Sequence, residues 1–138
     1  MTNEHLLLSD RFINLKIKRK YKIGYLSGSI YEKIKNQLSS EYETIPFTRT
    51  IRAVDQLKKH KLDMVLGDYF TSWTYNLKVV SKVKNLKKDQ LGILFRKNSK
   101  LYKNLNPILK TFIKSEKYVQ LVKQYFGKEA ANYLLNNR

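Results

Sequence analysis

Ser27, Gly28 and Ser29 stand between an apolar strand-like segment and a helix-like segment, and residues of these types at such a turn can hold an anion. A helix that begins there exposes unpaired backbone N–H groups and a partial positive charge, which attract carboxylate or phosphate oxygens. Gly28 would let a ligand approach the backbone closely. The alternative is that Ser29 only caps the helix and Gly28 only turns the chain. The spacing fits neither GxxxxGKS/T nor GxGxxG, so it does not indicate a nucleotide.

Asp68 is the second candidate, because it directly follows the apolar run LDMVLG. If that run is a strand of a parallel sheet, Asp68 lies at the carboxyl end, where open α/β sheets bind their ligands. A carboxylate there can accept a charge-assisted hydrogen bond from a ligand ammonium group. The alternative is that Asp68 caps the next helix. Asp63 precedes the run, at the opposite edge, and is expected to fix a turn.

The other reactive side chains form no catalytic or metal-binding pattern. The chain has no Cys, which excludes disulfides, thiol catalysis and Cys-based zinc sites. His5 and His60 have neither metal-like spacing nor a paired nucleophile, and no Ser lies in a GxSxG elbow. Trp73 and its aromatic neighbours could line a pocket, but core packing is their commoner use. We therefore predict no catalytic residue, no metal and no cofactor, and a protein that is not an enzyme.

The net charge of +17 comes from 28 Lys and Arg against 11 Asp and Glu. Such a charge suits nucleic acid or an anionic membrane. The Lys residues are spread over nearly every segment, however, and no run of five or six basic residues occurs. A basic nucleic-acid-binding domain is therefore an alternative that the sequence does not favour.

The hydrophobic pattern predicts alternating strands and helices in one domain of 138 residues. Predicted strands cover residues 22–26, 42–47, 62–68, 78–83 and 90–97. The first helix is predicted from a Ser29–Glu32 capping box to Ser39-Ser40, and the second, carrying Ile51, Val54 and Leu57, after a Thr50 cap. Two more helices are predicted over residues 101–112 and from Ser115 to a C-cap at Gly127. This order indicates an α/β fold, with an open and mainly parallel sheet flanked by helices and followed by two C-terminal helices. Pro46 places its strand at an edge or at a strand end.

The predicted organisation has three parts. Residues 1–20 are a basic leader in which residues 6–15 could form a short helix. Residues 21–127 form the main lobe, with the C-terminal helices at 101–127, and residues 128–138 are a tail. No apolar run approaches the roughly 20 residues that span a bilayer. The start, MTNEHLLLSDRF, is not a secretory signal.

Three motifs in this order resemble the extracellular solute-binding proteins of family 3, the periplasmic polar amino-acid receptors of ABC importers. IGYLSGSIYEKI occupies the place of the family's strand, Gly-Thr-Thr turn and helix. AVDQLKKHKLDMVLGD follows the family's helix, buried strand and Asp, and GILFRKNSKL with LVKQYFG follows its closing segments. The match covers residues 21–127. It implies a periplasmic-binding-protein type II lobe: the second lobe plus the C-terminal helices, without the first lobe.

The resemblance implies a function and a site. Ser27, Gly28, Ser29 and the backbone N–H of Ile30 would bind the α-carboxylate of an amino acid, and Asp68 its α-amino group. Ile30 departs from the family, because the second hydroxyl residue is lost. The implied protein is the amino-acid-binding component of an ABC transport system, with an ABC permease as partner and a periplasmic location. Without a signal peptide it would be cytoplasmic if this chain is the full product. A dehydratase-like enzyme on the same fold is a further alternative.

The absence of the first lobe limits the expected affinity. A helix N-terminus contributes about 0.3–2 kcal/mol to anion binding, and a charge-assisted hydrogen bond contributes about 1.5–3 kcal/mol. Micromolar binding needs about 8 kcal/mol, so we expect the single lobe to bind amino acids at millimolar affinity or not at all. The C-terminal helices also lack the lobe on which the family packs them. We therefore predict that they fold back onto this lobe, that two chains exchange them in a homodimer, or that a separate first-lobe chain covers them.

Overall fold

A computed structural model describes residues 2–38, 40–84, 86, 89–90 and 92–136. They form two compact units. The sheet unit comprises residues 3–88, and the helical unit comprises residues 1–2 and 89–138. In the described ranges, no helix is long and apolar enough to cross a membrane.

The elements follow one another along the chain as alternating strands and helices. The strands are β1 (Thr2–Asn3), β2 (Leu6–Ser9), β3 (Tyr21–Leu26), β4 (Tyr42–Phe47), β5 (Met64–Gly67), β6 (Lys78–Lys82) and β7 (Asp89–Gln90). The helices are α1 (Tyr31–Ile34), extended by a 3-10 turn at Lys35–Gln37, then α2 (Thr50–Lys58), α3 (Tyr69–Tyr75), α4 (Lys100–Ile113) and α5 (Glu116–Asn136). Strands β1 and β7 pair as a separate two-stranded ribbon.

The main sheet has the strand order β4-β3-β5-β2-β6. Strands β4, β3 and β5 are parallel, whereas β2 runs antiparallel to both of its neighbours. The predicted α/β fold with an open sheet and flanking helices is confirmed, as a mixed sheet. The edge position predicted from Pro46 is also confirmed, since β4 is an outer strand and Pro lacks a backbone N–H to donate on both sides.

The short helix predicted within residues 6–15 is wrong. Leu6, Leu7 and Leu8 belong to β2, which lies between β5 and β6, and each is at most 2% exposed. Leu6 and Leu8 pack on one face of the sheet and Leu7 on the other. A short apolar run has no period that separates a helix from a strand buried on both faces. Residues predicted as a leader thus supply an internal strand.

Two apolar clusters cover the two faces of the main sheet. Helix α2 packs Ala53, Val54 and Leu57 against the face that carries Leu6 and Leu8. Ile34 of α1 packs on the opposite face, and Ile13 and Leu15 lie against the same cluster. Ile51, an apolar residue of the same helix, is 43% exposed. The layered arrangement is the usual one for an α/β sheet, with helices burying both faces.

Three local predictions differ from the structure. Residues 92–96 of the predicted last strand are irregular, because no described strand pairs with them; residue 91 lies outside the described residues. Helix α2 does begin at Thr50, but its N-cap is Arg49 and no side chain caps it. The first helix was predicted to end at residues 39–40, but α1 and its 3-10 turn end earlier, at Gln37. Residue 39 lies outside the described residues.

The helical unit agrees with the predicted helices. The Ser99 hydroxyl accepts a hydrogen bond from the Leu101 N–H at 3.2 Å, which caps α4. The Ser115 hydroxyl accepts from the Tyr118 N–H at 3.3 Å, which caps α5. Gly127 has φ 88° and ψ 177°, so the helix stops there as predicted, and a second helical segment continues to Asn136. A non-glycine residue would be strained at that φ.

Asp63 connects the amino ends of the central strands. Its carboxylate accepts from the Lys22 N–H at 2.8 Å and from the Arg19 guanidinium at 2.6 Å. Its N–H donates to the Lys22 carbonyl at 2.9 Å, and its carbonyl accepts from the Ser9 hydroxyl at 2.9 Å. Asp63 therefore does more than fix a turn, because it joins β2, β3 and β5 at one end of the sheet.

We predict that Asp63→Ala lowers the free energy of unfolding by about 2 kcal/mol. The substitution removes the acceptor of the Lys22 N–H and the charge-assisted hydrogen bond from Arg19. The Arg19 side chain is half exposed, so the ion pair itself adds little. Urea denaturation followed by the fluorescence of Trp73 measures the change. The exposed Asp55→Ala is the control and should stay within about 0.5 kcal/mol of the wild type; equal stability of both variants would contradict the role of Asp63.

Leu8→Ala tests the position of β2. Leu8 is fully buried, and truncation of such a side chain costs about 2–5 kcal/mol through lost burial and a residual cavity. Leu101→Ala, at a residue that is 58% exposed, should change the unfolding free energy by less than about 0.5 kcal/mol. The same urea experiment compares them, and a neutral Leu8→Ala would mean that residues 6–9 do not belong to the sheet.

Candidate functional site

The predicted site residues come together at one edge of the sheet, where β3, β4 and β5 end. In the parallel β3–β5 pair, Ile23 lies opposite Met64 and Gly24 opposite Val65. Continued past the strand ends, this register places Ser27 beside Asp68. The Ser27 N–H donates to the Phe47 carbonyl at the end of β4, at 2.9 Å. The edge is thus the carboxyl edge, where ligands of open α/β sheets bind.

The loop of residues 27–30 is held by its own hydrogen bonds. The Ser29 hydroxyl donates to the Leu26 carbonyl at 2.6 Å and accepts from the Tyr31 N–H at 3.2 Å. A Glu32 carboxylate oxygen accepts from the Gly28 N–H at 3.4 Å. Gly28 has φ 70°, a left-handed conformation that favours glycine.

The predicted Ser29–Glu32 capping box is wrong in its register. Ser29 bonds to the Tyr31 N–H rather than to that of Glu32, and Glu32 reaches back to Gly28 rather than to Ser29. The reason is that Ile30 is already helical, with φ −56° and ψ −26°, and serves as the N-cap of α1. Since α1 has only four residues, its dipole is small, and anion binding at the loop would depend on individual N–H groups.

Glu32, Lys35 and Tyr25 form a hydrogen-bonded trio beside this loop. The Lys35 ammonium lies 3.0 Å from a Glu32 carboxylate oxygen and 2.7 Å from the Tyr25 hydroxyl. The hydrogen bond from Lys35, followed by that from the Gly28 N–H, lowers the pKa of the Glu32 carboxyl. Hydrogen bonds to Tyr25 and Glu32 raise the pKa of Lys35. At neutral pH the loop therefore faces a carboxylate that occupies the Gly28 N–H and competes with a ligand anion.

Asp68 is the N-cap of α3. One carboxylate oxygen accepts from both the backbone N–H and the hydroxyl of Thr71, each at 2.8 Å. The capping alternative considered for Asp68 is thus present in the structure. These bonds fix the side-chain orientation and keep a carboxylate at the carboxyl edge of the sheet.

Residues that the sequence patterns missed lie at the same edge. Leu6 of β2 pairs with Gly67, so His5 enters the edge next to Asp68. His5 is 4% exposed and its ring meets that of Tyr31 edge-on, with 6.0 Å between centroids. Glu4 forms an ion pair with Lys82 at 2.6 Å. The sequence does contain a signal for these two residues. The three consecutive Leu residues after His5 would have indicated a buried strand, with Glu4 and His5 directly before it.

The aromatic cluster predicted as core or pocket lies on α3, directly after Asp68. Tyr69 stacks on Trp73 with 5.7 Å between ring centroids, and Phe70 meets Trp73 edge-on at 5.4 Å. Tyr69 and Tyr75 pack against the core cluster that includes Leu6 and Leu8. Core packing, the commoner use, is confirmed for these two tyrosines.

The described residues contain no group of three His, Asp or Glu side chains arranged to hold a metal ion. The acids of the carboxyl edge are committed to other bonds: Glu32 pairs with Lys35, Asp68 caps α3, and Glu4 pairs with Lys82. The edge can therefore offer hydrogen-bond donors from the loop and an acceptor carboxylate from Asp68 to a small polar molecule.

The similar solved structures include several amino-acid-binding proteins. An ancestral cationic amino-acid solute-binding protein (AncCDT-1) aligns with a TM-score of 0.74 and 19% identity, over 91% of this chain and 59% of its own. The arginine-, lysine- and histidine-binding protein ArtJ of Geobacillus stearothermophilus aligns with a TM-score of 0.60 and 23% identity, over 93% of this chain and 60% of its own. An arginine-specific periplasmic binding protein of Salmonella typhimurium aligns with a TM-score of 0.68 and 18% identity, over 91% of this chain and 61% of its own.

The chain has the fold of the amino-acid solute-binding proteins. This confirms, for the fold, the resemblance predicted from the motifs. The chain spans about three fifths of the length of these structures, in agreement with the prediction of one lobe plus the C-terminal helices. No protein-family model and no curated protein matches the sequence.

We predict that the Glu32 carboxyl titrates below its ordinary pKa of 4.5, because Lys35 and the Gly28 N–H stabilise its ionised form. Since the folded-state pKa is lowered, the stabilisation is present above pH 4.5 and is lost as the pH falls through the folded-state value. A carbon-detected NMR titration of the Glu32 carboxyl measures the midpoint. Lys35→Met should move it back towards 4.5, and a midpoint that Lys35→Met leaves unchanged would contradict the assignment.

Proposed function

We propose that the carboxyl edge of the sheet unit binds the zwitterionic head of a small amino acid. Ser27, Gly28, Ser29 and the Ile30 N–H would receive the carboxylate, and Asp68 the ammonium group. The observation that carries this proposal is that the loop of residues 27–30 and Asp68 end adjacent parallel strands, in a fold shared with amino-acid-binding proteins. Neighbouring strands lie about 4.8 Å apart, a separation that one small zwitterion can bridge.

The proposed binding is weak in this chain. A ligand carboxylate must displace Glu32 from the Gly28 N–H, and it meets the electrostatic repulsion of that ionised side chain. The charge-assisted bond to Asp68 contributes about 1.5–3 kcal/mol, well below the roughly 8 kcal/mol of micromolar binding. We therefore expect millimolar affinity for the chain by itself, with ligand selectivity supplied by a complementary lobe.

The larger role that fits is solute capture for an ABC transport system, in the periplasm, with its permease as partner. The helical unit gives a reason to invoke a complementary lobe. Its helices expose large apolar side chains, among them Leu101 at 58%, Ile108 at 62% and Tyr125 at 73%. Exposed apolar faces usually mark an interface. A chain that carries the first lobe, or a second copy that exchanges α4 and α5, would cover them.

A binding role is favoured over catalysis by the state of the acids at the edge. A general acid needs a raised pKa so that it holds its proton near neutral pH. The Glu32 pKa is shifted in the opposite direction, and Asp68 is held as a helix cap. A dehydratase is therefore not favoured, although the ancestral neighbour is described as a precursor of cyclohexadienyl dehydratase.

A titration with arginine, lysine and glutamine, followed by proton–nitrogen NMR correlation spectra up to about 50 mM ligand, tests the proposal in the millimolar range. We expect the amide signals of residues 27–30 and 68–71 to shift. Asp68→Asn should weaken binding about tenfold or more, because the charge-assisted bond is lost, while Asn still caps α3. Glu32→Gln should strengthen binding several-fold, because the competing charge is removed.

Asp55→Asn, at an exposed position of α2, is the matched control and should leave the affinity unchanged. The proposal is wrong if no amide of the carboxyl edge responds, or if Asp68→Asn and Asp55→Asn bind the ligands equally well. Adding the first lobe of a similar binding protein as a separate chain is the companion experiment for the complementary lobe.

A further inference from the structure

The amino edge of the sheet, opposite the proposed ligand site, is strongly basic. It is formed by residues 10–22 and 58–63, which contain nine Lys or Arg and two Asp, a net charge of +7. We call these residues the basic edge. Asp63 lies between β3 and β5 at this end, and a shallow depression there is lined by Arg19, Lys20, Lys22, His60 and Lys61.

Two large apolar side chains project from the same segment. Phe12 is 86% exposed and Ile17 is 57% exposed. Their neighbours Ile13 and Leu15 pack against the core, so this segment is anchored on one side and apolar on the outside. Arg11 fixes its start by donating to the Leu62 carbonyl at 2.9 Å. The Tyr21 hydroxyl fixes its far end, because it lies 2.8 Å from the carbonyl oxygens of both Asn14 and Ile17 and shares its one proton with them.

We propose that the basic edge docks on an anionic lipid bilayer, with Phe12 and Ile17 entering the interface. Apolar side chains flanked by Lys are the composition of segments that lie in the headgroup region. The exposed side chains of Lys16, Lys18 and Lys20 flank Ile17. Each Lys near an anionic surface strengthens binding about fivefold, and the aliphatic stems of Lys can lie along apolar surface while the ammonium stays in water.

The identity of the basic residues favours lipid over nucleic acid. Arg is the side chain that reads phosphates and bases through paired hydrogen bonds. Arg11 is bound to the Leu62 carbonyl, and Arg19 to Asp63, with its guanidinium 4.5 Å from the Tyr21 ring centre. The exposed charge is therefore mostly Lys, which suits diffuse attraction to an anionic surface.

Docking at this edge does not require the proposed ligand site. The basic edge lies at the amino ends of β3 and β5, whereas the loop of residues 27–30 and Asp68 lie at their carboxyl ends. A bilayer bound at the amino ends would leave the carboxyl edge of the sheet unit facing away from the lipid. The two proposals can therefore fail separately.

Flotation of the full chain with lipid vesicles tests the proposal. One set contains phosphatidylcholine with about 30% phosphatidylglycerol, to provide the anionic surface, and the other contains phosphatidylcholine only. We expect binding to the anionic vesicles alone, reduced at least about tenfold in Phe12→Ser/Ile17→Ser by the loss of apolar burial. Lys16→Glu/Lys18→Glu should lose at least about tenfold as well.

Lys110→Glu/Lys117→Glu is the matched control, because it changes the net charge equally at exposed lysines of the helical unit. It should bind anionic vesicles within about threefold of the wild type, because Lys110 and Lys117 are not among the residues of the basic edge. A control that loses as much as the Lys16/Lys18 variant would show attraction by overall charge and overturn the proposal. So would undiminished binding of Phe12→Ser/Ile17→Ser.

A fluorescent probe locates the contact. The chain has no Cys, so Ile17→Cys and Lys110→Cys can each carry one environment-sensitive dye. Anionic vesicles should shift the emission of the dye at residue 17 to shorter wavelength and leave the dye at residue 110 unchanged; equal shifts would overturn the proposal. Tighter binding to polyuridylate than to vesicles, or release from vesicles by millimolar phosphate, would assign the basic edge to nucleic acid or to free phosphate and also overturn it.

Discussion

The sheet unit depends on one buried carboxylate, that of Asp63. The carboxylate accepts from the Lys22 N–H, and the Asp63 N–H donates to the Lys22 carbonyl, so the starts of β3 and β5 are joined. The Asp63 carbonyl accepts from the Ser9 hydroxyl, which adds the end of β2. Arg19 supplies the compensating charge at 2.6 Å. A buried charge is tolerated only when it is paired and hydrogen-bonded, so this residue constrains the strand arrangement at the amino end and thereby fixes which residues meet at the carboxyl end.

The register set at the amino end determines the candidate site. Because β3 and β5 are parallel and in fixed register, the loop after β3 and Asp68 after β5 lie side by side. The antiparallel β2 brings His5 to the same edge. Glu32 and Lys35 then decide how well the loop can receive an anion, since Glu32 already uses the Gly28 N–H. The local electrostatics at residues 27–30 therefore oppose tight binding of an anion.

The charge of the chain is divided between two edges with different character. The carboxyl edge mixes acids and bases that pair with one another, as in the Glu4–Lys82 and Glu32–Lys35 pairs. The basic edge has seven more positive than negative charges within two short segments and exposes Phe12 at 86%. The overall value of +17 is therefore distributed unevenly, with a candidate small-molecule site at one end of the sheet and a candidate docking surface at the other.

The sequence by itself determined the α/β class, the edge position of β4, the two C-terminal helices, the break at Gly127 and the order of motifs that led to the solute-binding fold. These features depend on local period, capping residues and turn residues. Only the tertiary structure decided the strand at Leu6–Ser9, the register of the loop at Ser29 and the bond between Glu32 and Gly28. Strand pairing and ion pairing are made between residues distant or offset in the chain, and no local pattern specifies which partners will be nearest.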